Sequence, residues 1–164
     1  RVVLSYNWKL RSLQSYIQQL EMESLGKKPN PKSIFKETGQ SIFGGFGSTA
    51  QHSYFQLLHQ GTAEFCTDII YSTSTNSPLS SAQAKGQAAL LSSDFKGATN
   101  LLEKTNSNSP VNLFHLNQMS LEALGFLLAT WEHRVFITAS MLQINPFDQY
   151  GVAAGKLIAK KFLS

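Results

Sequence analysis

Glu23, His52 and Lys156 are the residues of this chain best suited to chemistry, a carboxylate, an imidazole and an ammonium within 164 residues. Together they are groups able to move protons without a metal. Glu23 lies in Gln18-Gln19-Leu20-Glu21-Met22-Glu23-Ser24, in a segment of helical spacing. A lone carboxylate serves as general base when partial burial lifts its pKa toward working pH. Glu21 forms no carboxylate pair with it, because helix residues two apart point to different faces. Glu21 is expected to be the solvated one of the two. Gln19 precedes Glu23 by one turn and can line the same side.

His52 follows Gly44-Gly45-Phe46-Gly47-Ser48-Thr49-Ala50-Gln51. A glycine turn entering a helix presents unpaired backbone N–H groups, which favour anions or oxyanions. The glycine spacing does not match a dinucleotide fingerprint, and Gly-Lys-Ser/Thr is absent. A plain turn capped by Ser48 fits the same residues. His52 and His59 are seven apart on one expected helix, which gives at most two ligands on a shared face. No metal site is expected from His52, His59, His115 and His133. Asp148, Gln149 and Lys156 form the third group. Gln149 and Lys156 are two turns apart on one helix face, and Gly151 and Gly155 permit close approach of backbone or ligand. A solvated surface lysine and a simple helix start fit these residues equally well.

The elements that must position these groups alternate between strands and helices. Val2-Val3-Leu4 reads as a strand, and its position at the start of the chain suggests a fragment of something longer. Asn7 can cap a helix whose Trp8, Leu10, Leu13, Tyr16, Ile17 and Leu20 recur at helical spacing, running to about Leu25 and stopping at Gly26. Ser41-Ile42-Phe43 is expected as a short strand before the glycine turn, with a helix following to Gly61. Phe65 to Tyr71 reads as a buried strand holding Cys66 in the core. Ser72 to Ser81 reads as a loop with Pro78 at a boundary. Helices are expected over Ala82 to Glu103, Leu121 to Leu142 and Gln149 to Phe162, with Trp131 and Phe136 in the core and Asn145-Pro146 as a break. Val111 to Leu116 is the fourth strand. This order predicts an α/β fold, a doubly wound and mostly parallel sheet flanked by helices, with further helices at the C-terminal end.

Composition limits the function classes. The chain is 42% hydrophobic, enough for a real core, with only 15% charged residues and a net charge of +4. That modest excess suits a site for an anionic small molecule, or nothing specific. Lys27, Lys28, Lys32 and Lys36 form a loose basic patch, too sparse and too poor in stacking aromatics for a nucleic-acid surface. One cysteine, Cys66, excludes an internal disulfide framework. No apolar run reaches membrane-spanning length and no leader segment is visible, so a cytoplasmic protein is the default.

Three ordered segments resemble the phosphoglucose isomerase (glucose-6-phosphate isomerase) family. Gln18 to Lys27 is one. Gly47-Ser48-Thr49-Ala50-Gln51-His52-Ser53-Tyr54-Phe55-Gln56-Leu57-Leu58-His59-Gln60-Gly61 is the second. Trp131-Glu132-His133 through Phe147-Asp148-Gln149-Tyr150-Gly151-Val152-Ala153-Ala154-Gly155-Lys156 is the third. The likeness covers nearly the whole chain and thins between Ser72 and Pro110. It implies that Glu23 matches the base carrying a proton between C2 and C1. His52 then matches the ring-opening histidine, and Lys156 the lysine beside the ring oxygen. Gln149 and Gln19 match substrate-holding glutamines.

The resemblance further implies reversible conversion of glucose 6-phosphate to fructose 6-phosphate through a cis-enediol, without cofactor or metal. It implies that residues 1–164 are one C-terminal sugar isomerase (SIS) domain portion of a longer two-domain enzyme. The family's active site is shared across a homodimer, with the histidine supplied by the neighbouring subunit. On that reading the isolated 164 residues are inactive. Two departures stand out. The family's Trp-Gly-Glu-Pro-Gly is Phe43-Gly44-Gly45-Phe46-Gly47 here. The Ser/Thr phosphate cradle, most of which the family's first SIS domain (the missing N-terminal domain) supplies, does not occur, and neither does the Gly-Gly-Arg-Phe/Tyr-Ser segment that supplies an arginine near the enediolate. A non-catalytic phosphosugar-binding SIS domain, regulatory or structural, is the competing class. It need not keep the base, the histidine and the lysine together.

Overall fold

A computed structural model describes residues 1–74, 77–93 and 96–163. Four strands form one sheet in the order β2-β1-β3-β4: β1 (Val2–Ser5), β2 (Phe43–Phe46), β3 (Thr67–Ser72) and β4 (Val111–Leu116). Every pairing is parallel, with Val3 opposite Gly44 and Asp68, and Ile69 opposite Leu113. The helices are α1 (Leu13–Leu25), α2 (Gly47–Ala50), α3 (Phe55–Gln60), α4 (Pro78–Ser92), α5 (Leu121–Leu142) and α6 (Tyr150–Lys160). The expected doubly wound parallel α/β fold is therefore present.

The chain divides into two compact units. Residues 1–18 and 41–128 make the first, which contains the sheet. Its two central strands, β1 and β3, are buried along their whole length, as parallel strands covered on both faces must be. Val2, Leu4, Ile69 and Tyr71 pack with Phe55 and Leu58 of α3 and with Ala84, Ala88 and Leu91 of α4. Residues 19–40 and 129–164 make the second unit. Its core joins Leu25 to Val135 and Ala139, with Leu20 and Ile144 at the edge.

Several boundaries differ from the sequence reading, each for a local reason. The second strand is Phe43–Phe46, not Ser41 to Phe43, so Gly44 and Gly45 lie within a strand and not in a turn. Both have positive φ, +152° and +156°, and a Cβ on Gly44 would stand 1.9 Å from the Val3 carbonyl oxygen. Gly44 thus lets β2 lie against β1 where no side chain fits, and Gly45 supplies a second positive φ. His52 and His59 do not share one helix, because the turn at Gln51–Tyr54 separates α2 from α3. Ser48 does not cap α2, whose N-cap is Phe46.

The third strand starts at Thr67, leaving Cys66 half-buried before it instead of in the core. α4 begins at Pro78, where the fixed φ of proline suits the first helical position, so the loop expected over Ser72 to Ser81 is shorter. Thr75 and Asn76 of that loop lie outside the described residues, as do Asp94 and Phe95 of the helix expected over Ala82 to Glu103. That helix ends at Ser92, and only a 3-10 turn forms at Leu101–Glu103. Trp131 is buried as expected, but Phe136 is 54% exposed. Asn7 does accept a hydrogen bond from the Lys9 N–H, capping a 3-10 turn at Trp8–Leu10. The α-helix starts later, at Leu13.

α5 ends in a Schellman turn. Gln143 has φ +57°, the Ile144 N–H reaches the Ala139 carbonyl, and the Gln143 N–H reaches the Ser140 carbonyl. A side chain other than glycine costs about 1–2 kcal/mol in the left-handed region. Part of that is offset by the greater freedom glycine has when unfolded. Gln143→Gly should therefore stabilise the protein by about 0.5–1 kcal/mol. Denaturant titration checks this, and a lower midpoint for the glycine variant would refute it.

Candidate active site

The second unit contains a cleft of about 830 Å³ walled by the last turn of α1, the loop after it, and the segment between α5 and α6. Glu23 and Gln149 both line it. A smaller hollow, about 340 Å³, is lined by Gln149 and Lys156. The structure therefore brings Glu23, Gln149 and Lys156 to two hollows that share Gln149. Gln19 lines neither. His52 belongs to the first unit and is described there.

Each group is positioned by identifiable local structure. Glu23 is exposed at the end of α1, not partly buried. Glu21, expected to be solvated, is only 2% exposed. The reversal follows from helix geometry. Ile17, Glu21 and Leu25 are four apart and share the buried face, which turns Glu23 toward the cleft. Burial of the Glu21 carboxylate is offset by Arg134, at 3.1 Å, and by the Gln40 amide, which donates at 2.9 Å. Gln149 is the N-cap of α6 without a side-chain capping bond. Lys156 lies on α6, exposed, and no described atom stands within 4 Å of a Cβ built on Gly151 or Gly155. That helix face is open to approach.

Lys27, a member of the loose basic patch, lies in the wall of the cleft. Its ammonium donates to the Glu23 carbonyl at 2.5 Å and to the Asp148 carbonyl. It also lies 3.7 Å from the Asp148 carboxylate. Asn30 adds a bond from its side-chain amide to the Gln143 carbonyl, 3.0 Å.

In the first unit, His52 is exposed in the turn after α2, one short helix beyond the carboxyl end of β2. Its neighbour Gln51 donates to the Tyr6 hydroxyl and accepts from Gln83, each at 3.3 Å. The Tyr6 ring occupies the space where a Cβ on Gly47 would lie, 2.4 Å away. Burial pushes the Tyr6 phenol well above its ordinary pKa, against the opposing effect of the Gln51 donation. Burial pushes the Tyr54 phenol up to about 12. Both hydroxyls are therefore neutral near pH 7 and act by hydrogen bonding and packing.

Among the described residues, no group of three or more His, Cys, Asp or Glu side chains could hold a metal ion. Nor, among them, is any helix long and apolar enough to cross a membrane.

Parallel strands with flanking helices define an open-sheet α/β protein, a class whose ligands gather beyond the carboxyl ends of the strands. Comparison with known proteins narrows the class. The family model described as phosphoglucose isomerase matches residues 1–164. The glucose-6-phosphate isomerase of Shewanella loihica is 35% identical over 189 residues, covering 99% of this chain and 35% of that protein. The corresponding protein of Shewanella pealeana is 35% identical over 99% of this chain and 34% of its own length. A crystal structure of a glucose-6-phosphate isomerase from Chlamydia trachomatis superposes with a TM-score of 0.84 at 30% identity, over 99% of this chain and 34% of that one. A hypothetical protein of Thermus thermophilus shares the fold, with a TM-score of 0.81 at 22% identity, over 99% of this chain and 41% of that one.

This chain belongs to the phosphoglucose isomerase family. It spans about a third of the length of the curated relatives it matches.

Proposed function

We propose that this chain is the C-terminal SIS-domain portion of a longer two-domain enzyme that interconverts glucose 6-phosphate and fructose 6-phosphate. The family match over the whole chain supports the assignment. The observation that carries the chemistry is a cleft walled by Glu23 on one side and Gln149 on the other. Lys156 and His52 assist proton transfer to and from the ring oxygen and its hydroxyl, giving the open aldose. Glu23 removes the C2 proton, leaving a cis-enediol or enediolate, and returns it to C1 to give the ketose. One carboxylate suffices because the two carbons are adjacent on one face of the intermediate. Gln149 holds the sugar phosphate in the cleft, and Gln19, outside both hollows, takes a holding role from the family resemblance alone.

The developing oxyanion needs a preorganised cation, a contribution often worth several kcal/mol. The arginine of the family's Gly-Gly-Arg-Phe/Tyr-Ser segment, outside residues 1–164, would supply it. Apolar side chains left exposed on and just after α6, Leu157, Ile158, Phe162 and Leu163, support cover by the N-terminal domain or by the second subunit of a homodimer.

The test is isomerisation of glucose 6-phosphate by the full-length polypeptide beside the mass-verified 164-residue chain. Turnover by the parent with a silent fragment is the expected result. An active fragment would overturn the divided site. A silent parent would favour a phosphosugar-binding domain without catalysis.

A further inference from the structure

We propose that Lys27 is a positioning residue for isomerisation, a clasp that sets the distance between the Glu23 wall and the Gln149 wall of the cleft. The inference rests on the isomerase reading above and adds a residue to it. Its basis is where the ammonium sits. Lys27 Nζ donates to the carbonyl of Glu23 itself, at 2.5 Å. It also donates to the carbonyl of Asp148, the residue before Gln149, and the Asp148 carboxylate lies 3.7 Å away. One charged atom thus joins two segments that are 121 residues apart in sequence.

Three features mark this as a built arrangement. First, the Glu23 carbonyl belongs to the last turn of α1, where no further helical N–H can satisfy it. A cation placed there also meets the negative end of the helix dipole. Second, Lys27 is itself anchored. Its N–H donates to the Leu25 carbonyl at 2.8 Å, and the Thr38 hydroxyl donates to its carbonyl. Third, two of the ammonium's three protons go to the two carbonyls, and the Asp148 carboxylate 3.7 Å away balances its charge. The Lys27 side chain is only 13% exposed. Its charge is thus directed at the Glu23 and Asp148 groups of the protein itself.

The consequence for catalysis is geometric. Proton transfer at carbon requires the carboxylate within about 3–3.5 Å of the reacting carbon, and a misplacement of about 1 Å can cost about 100-fold. Releasing the clasp lets the Asp148–Gln149 segment drift from Glu23. Substrate held by Gln149 then meets the base at the wrong distance.

The test uses the full-length polypeptide with Lys27→Met, Lys27→Ala and Lys27→Arg. Lys27→Met keeps the stem and removes the charge. It should lower kcat about 10- to 100-fold, with faster amide hydrogen exchange in residues 145–149 and some loss of thermal stability, because two carbonyls and the Asp148 carboxylate lose their partner. Methylammonium added to Lys27→Ala should restore part of kcat, and Lys27→Arg should retain more activity than Lys27→Met. An active parent whose Lys27→Met variant keeps both kcat and KM overturns the clasp and leaves the isomerase reading standing. The clasp also fails if exchange in residues 145–149 is unchanged, or if exchange quickens while kcat holds. An inactive parent instead overturns the isomerase reading on which the positioning role depends.

Discussion

Replacing Glu23 by Gln in the full-length protein is expected to cut isomerisation by about 1,000-fold while leaving sugar-phosphate binding measurable. The substitution is nearly isosteric, so the cleft keeps its shape and the neighbouring Lys27 bond, which goes to the Glu23 backbone carbonyl, is untouched. Only the ability to accept and return a proton is lost. KM, or better a binding constant from calorimetry, should move little, because Gln149 and the rest of the cleft remain. Glu23→Asp should fall between parent and amide, since its carboxylate is still basic but withdrawn by one methylene. Solvent hydrogen exchange at C2 of the sugar phosphate gives a second readout and should disappear with turnover in Glu23→Gln. Near-normal turnover by Glu23→Gln would remove Glu23 from the role of base. Equal losses in binding and turnover would instead make it a substrate-holding residue.

Much of the fold could be read from the chain because parallel strands buried on both faces appear as short apolar runs. Val2-Val3-Leu4 and Ile69-Ile70-Tyr71 are such runs, and both form central strands. The Gly44-Gly45 pair was opaque for a physical reason. Glycine most often marks a turn, whereas here the missing Cβ of Gly44 lets β2 approach Val3. The Glu21–Arg134 pair did leave a signal, because Leu13, Ile17, Glu21 and Leu25 follow one another at four-residue intervals. A charge in the apolar stripe points to a buried partner on another element, which the expectation of a solvated Glu21 overlooks. The proximity of Glu23 and Gln149 is different in kind. They are far apart in sequence and meet through a lysine–carbonyl contact that no local spacing encodes. Family resemblance could nominate both residues, while the clasp between them became visible only in three dimensions.

Breaking the Glu21–Arg134 pair should produce the largest loss of stability. Glu21 is almost fully buried, 3.1 Å from Arg134, whose side chain is 27% exposed. Removing one member of a buried pair leaves the other charge uncompensated and typically costs about 3–5 kcal/mol. Partial solvation of Arg134 moves the expectation to the lower end, about 3 kcal/mol for Glu21→Leu. Gln40 also loses the acceptor for its 2.9 Å bond, which works in the same direction. The sign should reverse when both charges go. Glu21→Leu combined with Arg134→Met replaces the pair by apolar groups of similar volume beside Leu25, Val135 and Ala139, and such replacements are often neutral or stabilising. The double variant should recover most of what the single one loses, and a double-mutant cycle by denaturant titration measures the difference. Additive losses in the cycle would show that the two residues contribute separately. If Glu21→Leu alone were neutral, the carboxylate would not be bearing an ion pair at all. The cycle also separates fold from chemistry: a double variant that regains stability but not turnover would mean that the pair fixes the final turn of α1, and hence the aim of Glu23, in a way that packing alone does not.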